Sequence, residues 1–453
     1  MKKILILGAG QSAPYLIDYL LKESIANNWF VTVGDLDEEQ ARSAIGTHPN
    51  GNAIRFDVND SAMRKQQIEQ ADVVVNFLSP VFQYIVAHDC IHCKTHMVSA
   101  SYANKKVIDM AADAQRNGVL ILNEMGLDPG IDHMSAMKLI HYVQENGGQI
   151  SSFVSYGAGL PAPEVADNPL RYCITWNARN VARAGEVGAL YMEDGKRKLL
   201  SHHNVFNRTW PVEVEGLGTF EAIANRNSLI YRNLFGLPNV HTIIRGTLRY
   251  PGWSETWNQV IKLGFPNDNM PIPNAAEMSY RELTQMFLPI HLSGSNLERR
   301  VANYLNINPT GKIMQNLKWL GLFSDEIIGG KVSTAADILT QLLVKKLPLP
   351  PNGRDMVILI HEVYADYPGD KPRREHIKTT LIDYGQPGGF TAISKTVGLP
   401  AAIATKLILT GKLPLTGCHI PTLPTIYLPV LEELKLHNVA FEEEVRELPL
   451  EDS

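Results

Sequence analysis

Apolar residues in the first 130 positions fall into short runs separated by amphipathic stretches. Ile4-Leu5-Ile6-Leu7 is a strand-like run closed by Gly8, and Leu16, Ile17, Leu20, Leu21 and Ile25 follow at helical spacing. Residues 30–33 read as a strand closed by Asp35, and residues 53–56 as a strand that ends in Phe56 and is closed by Asp57. Val73-Val74-Val75, within 72–78, has the continuous β-branched character of a strand buried on both faces. Residues 95–99 and 119–123 complete the series, each after a helical stretch, with Gly118 as a helix stop. Strands spaced by helical patterns of about 10–15 residues predict crossover units and a parallel sheet. In such a sheet every strand's carboxyl end lies on one edge, where ligands bind. Chemistry is therefore expected among Gly8-Ala9-Gly10, Asp35, Asp57, Ser79, Ser99 to Tyr102, and Glu124 to Asp128.

Beyond residue 130 the pattern changes. Residues 131–270 mix strand patterns with turns, as at 150–155 and 212–214. Residues 275–346 carry Leu, Ile and Met at helical spacing, and Pro348, Pro350, Pro351 and Gly353 mark the exit. Residues 356–362 and 379–383 read as returning strands, 393–410 as an apolar helix, and 442–453 as a frayed charged tail.

Gly8-Ala9-Gly10-Gln11-Ser12-Ala13 fits G-x-G-x-x-[GA] between a strand and a helix. Gly8 permits the tight turn, Gly10 lets a pyrophosphate approach the backbone, and Ala13 lets the helix sit close to the strand. Unpaired N–H groups at the helix start then face the anion, and Pro14 costs little in the first turn. Asp35 lies 22 residues beyond Ala13, near the ~20 expected of a carboxylate on the adenosine ribose. Such a carboxylate repels a 2′-phosphate, and Arg42, on the following helix, is the nearest cation in sequence. NAD(H) is favoured over NADP(H). The rival reading of Asp35 is a cap for the helix beginning near Glu38.

These observations predict an α/β protein with a Rossmann-type dinucleotide-binding domain at 1–130, onto which 391–453 packs back. An α/β substrate domain would comprise 131–274 and 352–390, with a helical subdomain at 275–351. The returning connections imply a cleft that closes over ligands.

Composition narrows the function classes. The chain has 453 residues, 45% hydrophobic and 20% charged, which argues against disorder. A net charge of −5 without a basic stripe argues against nucleic-acid binding. No apolar run approaches the ~20 residues of a membrane span, and the N-terminal run falls short of the ~7–15 of a signal h-region. Four cysteines make no disulfide framework. A cytoplasmic protein is expected, and its oligomeric state, a homodimer included, stays open. Cys90, His92 and Cys93, with His88 and His96 nearby, offer one metal-ligand pair and no second, so no metal is expected. His361-Glu362 lacks the second histidine of a zinc-protease motif, with Ala365 in its place, and Gly329-Gly330-Lys331-Val332 fails the P-loop pattern.

Asn123-Glu124-Met125-Gly126-Leu127-Asp128-Pro129-Gly130-Ile131-Asp132-His133 closely resembles a segment of the saccharopine dehydrogenases (saccharopine reductases). Residues 156–164, 167–170, 225–228, 244–250, 354–357 and 396–403 resemble further blocks of that family in order, so the resemblance spans about 4 to 432. It implies interconversion of saccharopine with L-glutamate and 2-aminoadipate 6-semialdehyde, in lysine metabolism, using NAD or NADP. A secondary amine is oxidised to an imine that water splits; in reverse, the imine accepts hydride. The resemblance places Asp128 at the substrate, as the candidate acid/base, with Tyr102 to tune it and Ser101 beside both ligands. Arg226 becomes the leading carboxylate clamp, with Thr247, Leu248 and Arg249 as a second substrate segment. Trp176 lines the cofactor side, and Phe56, Asp57, Ser79, Ser99 and Leu127 join the glycine loop as cofactor contacts. Fungal members carry a cysteine where this chain has Gly157, so any role of that thiol is absent.

Bland readings stand beside these: Asp128 or Asp132 as a helix cap, Ser101 as a cap beside a core Tyr102, the arginines as surface ion pairs, Trp176 as core. Two functional rivals also remain, a carboxyspermidine-type opine dehydrogenase and a non-catalytic nucleotide-sensing protein of the same fold.

Overall fold

The computed structural model describes residues 1–449 and divides into two compact units, 1–150 with 356–453 and 151–355. The first unit opens with β1 (Lys2–Leu7), α1 (Pro14–Asn27), β2 (Trp29–Asp35), α2 (Glu38–Ile45), β3 (Gly51–Arg55), α3 (Ser61–Glu69) and β4 (Val73–Asn76). It continues with α4 (Gln83–Cys93), β5 (His96–Ser99), α5 (Lys105–Ile108), α6 (Ala111–Arg116), β6 (Leu120–Leu122) and α7 (Ile131–Glu145). The sheet order is Gly417–His419, β6, β5, β4, β1, β2, β3, with every pairing parallel. β1 therefore lies between β2 and β4, and the winding direction reverses there, the place where open α/β sheets bind ligands. The aliphatic strands are buried on both faces: Ile4, Leu7, Val31, Val33 and Val73–Val75 are at most 1% exposed.

The helix Ala392–Leu409 packs along α1. A Cβ on Gly398 would lie 3.0 Å from Leu16 Cβ, so glycine there permits the close approach. In length and composition this helix is apolar enough to cross a membrane, and 72% of it is buried.

Two features differ from the sequence reading. The stretch expected to fray forms a strand, Glu442–Leu448, antiparallel to Arg373–Tyr384. Its main-chain groups find ladder partners, Ile377 pairs with Val445 and Lys378 with Glu444, and its glutamates blunt the new edge. Residues 450–453 lie outside the described residues. Residues 131–150 and 356–390 also group with the first unit. The reason is α7, which packs on Pro424–Leu436. Its Ser135 Oγ meets His361 Nε2 at 2.7 Å, and its His141 Nδ1 meets the Tyr427 hydroxyl at 2.7 Å.

The second unit is built on the strands Gln149–Pro161 and Thr242–Arg249, paired in parallel, with Gly218–Ala224 and Thr209–Val214 added antiparallel. Its helices 275–351 are not a separate body. Asn316 Nδ2 donates to Thr256 Oγ1 at 2.8 Å and Ile174 N to Leu347 O at 2.7 Å, which fastens them to the sheet-bearing part.

Candidate active site

The glycine loop leaves β1 at the switch point. Gly8 has φ +98°, and a Cβ there would lie 3.0 Å from the Phe77 backbone, so only glycine fits. Around Gly10 there is no atom within 4 Å of an added Cβ. Among the described residues the amides of Gly10, Gln11 and Ser12 meet no protein acceptor, and α1 has no side-chain cap. Uncommitted donors over open space at a helix start fit a pyrophosphate.

Asp35 closes β2 and does not cap α2; Asp37 does, accepting from Glu39 N at 3.1 Å. Asp35 instead accepts from Ala9 N at 2.8 Å and Asp37 N at 3.0 Å, tying the β2 exit to the glycine loop. Glu38 and Glu39 follow, and Arg42 is paired with both. Phe56 is only 2% exposed, and its side chain packs in the hydrophobic core. Asp57 and Ser79 are exposed beyond β3 and β4, while Ser99 and Leu127 are buried beyond β5 and β6.

Further along the same edge, the Tyr102 hydroxyl donates to Asp128 Oδ1 at 2.8 Å. Neither Ser101 nor Asp128 caps a helix: Asn104 caps α5, and Gly130 stands at the N-cap of α7. Asp132 sits one position inside that helix, and its Oδ1 accepts from Gly130 N at 2.7 Å. The Tyr102 loop is fixed by Gln83, whose Nε2 donates to Tyr102 O at 3.0 Å and to Asn123 Oδ1 at 3.1 Å. Glu124, buried with φ +62°, donates its N–H to Ser101 O and accepts from Ala103 N at 3.0 Å.

In the second unit, Arg226 is exposed with φ +53°, at the start of a two-residue strand. Thr247 is half-buried, and Leu248 is fully buried core. Arg249 is 6% exposed, donates to Leu248 O at 2.8 Å, and lies over the rings of Tyr172 and Trp253. Burial pushes its guanidinium below the usual arginine range. Arg171 lies over Tyr250 at 4.0 Å, so two Arg-Tyr dipeptides each stack on the other's ring. The Trp176 indole donates to the Tyr172 hydroxyl at 3.2 Å, beside this clasp.

Comparison with known proteins decides the family. One family model, the saccharopine dehydrogenase C-terminal domain, matches residues 126–439, and a second, the saccharopine dehydrogenase NADP binding domain, matches residues 4–122. The chain belongs to the saccharopine dehydrogenase family. Saccharopine dehydrogenase (NADP(+), L-glutamate-forming) of Schizosaccharomyces pombe is 31% identical over 452 residues, covering 98% of this chain and 99% of the relative. The Saccharomyces cerevisiae protein of the same name is 32% identical over 439 residues, covering 96% and 97%. The solved structure of apo saccharopine dehydrogenase (L-Glu forming) from Saccharomyces cerevisiae superposes with a TM-score of 0.86 at 31% identity, covering 98% of this chain and all of that one.

Within this family member, Gly157 pairs with Thr247 across adjacent strands, so the position carries no thiol beside that threonine. The cysteine nearest in sequence, Cys173, is buried, and burial raises its thiol to about 12. Among the described residues no cluster of His, Cys, Asp and Glu is arranged to hold a metal ion. The sequence reading missed Gln83, His133 and Arg171. For Gln83 no signal was available, since one amide at a helix start looks like any other. His133 and Glu124 left a trace, two ionisable residues inside a stretch otherwise patterned as core.

Proposed function

We propose that this chain interconverts saccharopine with L-glutamate and 2-aminoadipate 6-semialdehyde by hydride transfer at a C–N bond. The observation that carries the reading is the 2.8 Å hydrogen bond from Tyr102 to Asp128, on the sheet edge that also bears the glycine loop. The relatives' names supply the substrate, and the pair supplies a way to handle its protons.

The bound dinucleotide supplies the hydride acceptor or donor. Gly10, Gln11 and Ser12 would hold its pyrophosphate through their uncommitted amides, and Asp35 would take the adenosine ribose. Asp128 accepts the proton that the substrate nitrogen releases and returns one as the carbinolamine collapses. Tyr102 donates to Asp128, orients it and stabilises its ionised form. Arg226, exposed in the second unit, would bind a carboxylate as a planar fork, whereas Arg249 is buried against Tyr172 and Trp253 and leaves half-buried Thr247 as the polar group of its segment.

The reading extends to cofactor choice. The relatives' names and the family model specify NADP, yet Asp35 closes β2, Asp37, Glu38 and Glu39 follow it in sequence, and the nearby Arg42 is already paired with the last two. That charge disfavours a 2′-phosphate, and NAD(H) is the proposed cofactor. Arg55, paired with Asp35 in the strand register, is the cation that would serve a 2′-phosphate if the preference ran the other way. Initial rates with saccharopine and either NAD or NADP test both parts. Saturable reduction with kcat/KM higher for NAD is expected. No turnover with either sinks the reaction, and a higher value for NADP sinks the cofactor preference.

A further inference from the structure

Asp128 and Tyr102 sit on two different loops, and a hydrogen bond between them requires those loops to hold a fixed separation. Each loop is gripped on both sides of its functional residue by one buried acid. Glu124 receives Ala103 N at 3.0 Å and gives its own N–H to Ser101 O at 3.1 Å, so it brackets Tyr102. Asp132 receives Gly130 N at 2.7 Å and gives its own N–H to Leu127 O at 3.0 Å, so it brackets Asp128 and Pro129. His133 lies between these acids, with Nδ1 3.0 Å from Glu124 Oε2 and Nε2 3.4 Å from Asp132 Oδ2. Its side chain is fully buried, with Glu124 at 6% and Asp132 at 2% exposure. Gly130 completes the frame: a Cβ there would collide with the Gly126 backbone at 2.0 Å, so the loop between Asp128 and the bridge is closed tight.

We infer that His133 is a positioning residue, bridging Glu124 and Asp132 so that the Tyr102 and Asp128 loops are held in hydrogen-bonding register. Removing the imidazole takes from each buried acid the ring that links it to the other, and the two gripped loops lose that link. Each imidazole nitrogen lies within ion-pair distance of one acid, and the contact is attractive at both ends when the ring carries both protons. The inference rests on the proposed proton-handling role of the pair, and the test separates the two.

The variants are His133→Leu, which fills the space without donors, His133→Asn, which keeps one amide, Tyr102→Phe, Asp128→Asn, and the double variant His133→Leu/Tyr102→Phe. Steady-state kcat, KM for saccharopine and the pH profile of kcat are measured, with thermal unfolding as the folding control. A shift of about 1 Å in a catalytic group costs on the order of 100-fold. We expect His133→Leu to lower kcat by about 10–100-fold with KM changed less than about threefold, and His133→Asn to recover part. Once Tyr102 can no longer donate, little alignment remains to be lost, so the double variant should be no slower than Tyr102→Phe. If His133→Leu does not fold, Glu124→Gln, which keeps the carbonyl that receives Ala103 N, takes its place with the same expectation. An unchanged kcat in the folded variant, or losses that multiply in the double variant, overturns the inference. Unchanged kcat in Tyr102→Phe and Asp128→Asn overturns instead the proton-handling reading beneath it.

Discussion

The glycine loop and the Tyr102–Asp128 pair stand on one edge of one sheet and are built in opposite ways. The loop is six consecutive residues, and what it offers a ligand is backbone N–H groups over open space. The pair draws one residue from each of two loops and relies on buried side chains, Gln83, Glu124, Asp132 and His133, to hold it. A site made of backbone is set by conformation and tolerates many side chains around it. A site made of side chains is set by packing and hydrogen bonding at a distance.

The largest effect should come from the side-chain half. Asp128→Ala should lower kcat by about 10²–10⁴-fold, the range for loss of a general acid/base, while dinucleotide affinity stays within about threefold. A comparable loss of dinucleotide binding in a titration would merge the two halves and break the comparison. Next is the conformational half. Gly8→Ala places a Cβ 3.0 Å from the Phe77 backbone at φ +98°, and strain of about 1–3 kcal/mol should weaken dinucleotide binding roughly tenfold or more. Gly10→Ala meets no protein atom, so its effect isolates the approach of the ligand. Equal effects on stability would mean that the loop is not set by conformation.

Asp35→Ala should move the NAD:NADP ratio of kcat/KM toward NADP by about tenfold, roughly the worth of one charge-assisted contact. An unmoved ratio would restrict Asp35 to its bonds with Ala9 and Asp37. The smallest effect is on stability. Burial, then the charge of Lys2, holds the His96 imidazole below the usual histidine range, and its Nδ1 accepts Leu120 N–H at 3.0 Å. With the folded value depressed, the unfolded chain takes up the proton first. This contribution is therefore complete above the unfolded value of about 6.5 and declines as pH falls below it. Melting temperatures at pH 7.5 and 5.5 should differ less in His96→Asn, whose amide oxygen accepts without titrating. An equal difference would exclude His96 as a source.

The same contrast explains how far the sequence could be read. The alternation of short strands and helices through residue 122, the glycine loop and the aspartate closing β2 are local patterns, governed by neighbours in the chain. Asp128 stood out because its whole segment is distinctive. The rival readings of Asp35 and Ser101 as caps could not be settled from sequence, because capping depends on where a helix starts within one residue, and Asp37 and Asn104 hold those positions. Phe56 looked available because it ends a strand, yet it packs against Gly34 in the core. The tail looked frayed because its charges hide a strand that only a partner edge stabilises.

What the sequence determined by itself is the class of fold, the dinucleotide loop and the family blocks, since periodicity and short motifs record constraints that act over a few residues. Tertiary structure alone decided that His133 would join two acids, that Gln83 would pin the Tyr102 loop, and that two Arg-Tyr pairs would exchange stacking partners. Those contacts join side chains distant along the chain, or set the distance between two loops, and their energies depend on burial and separation, which no local pattern encodes.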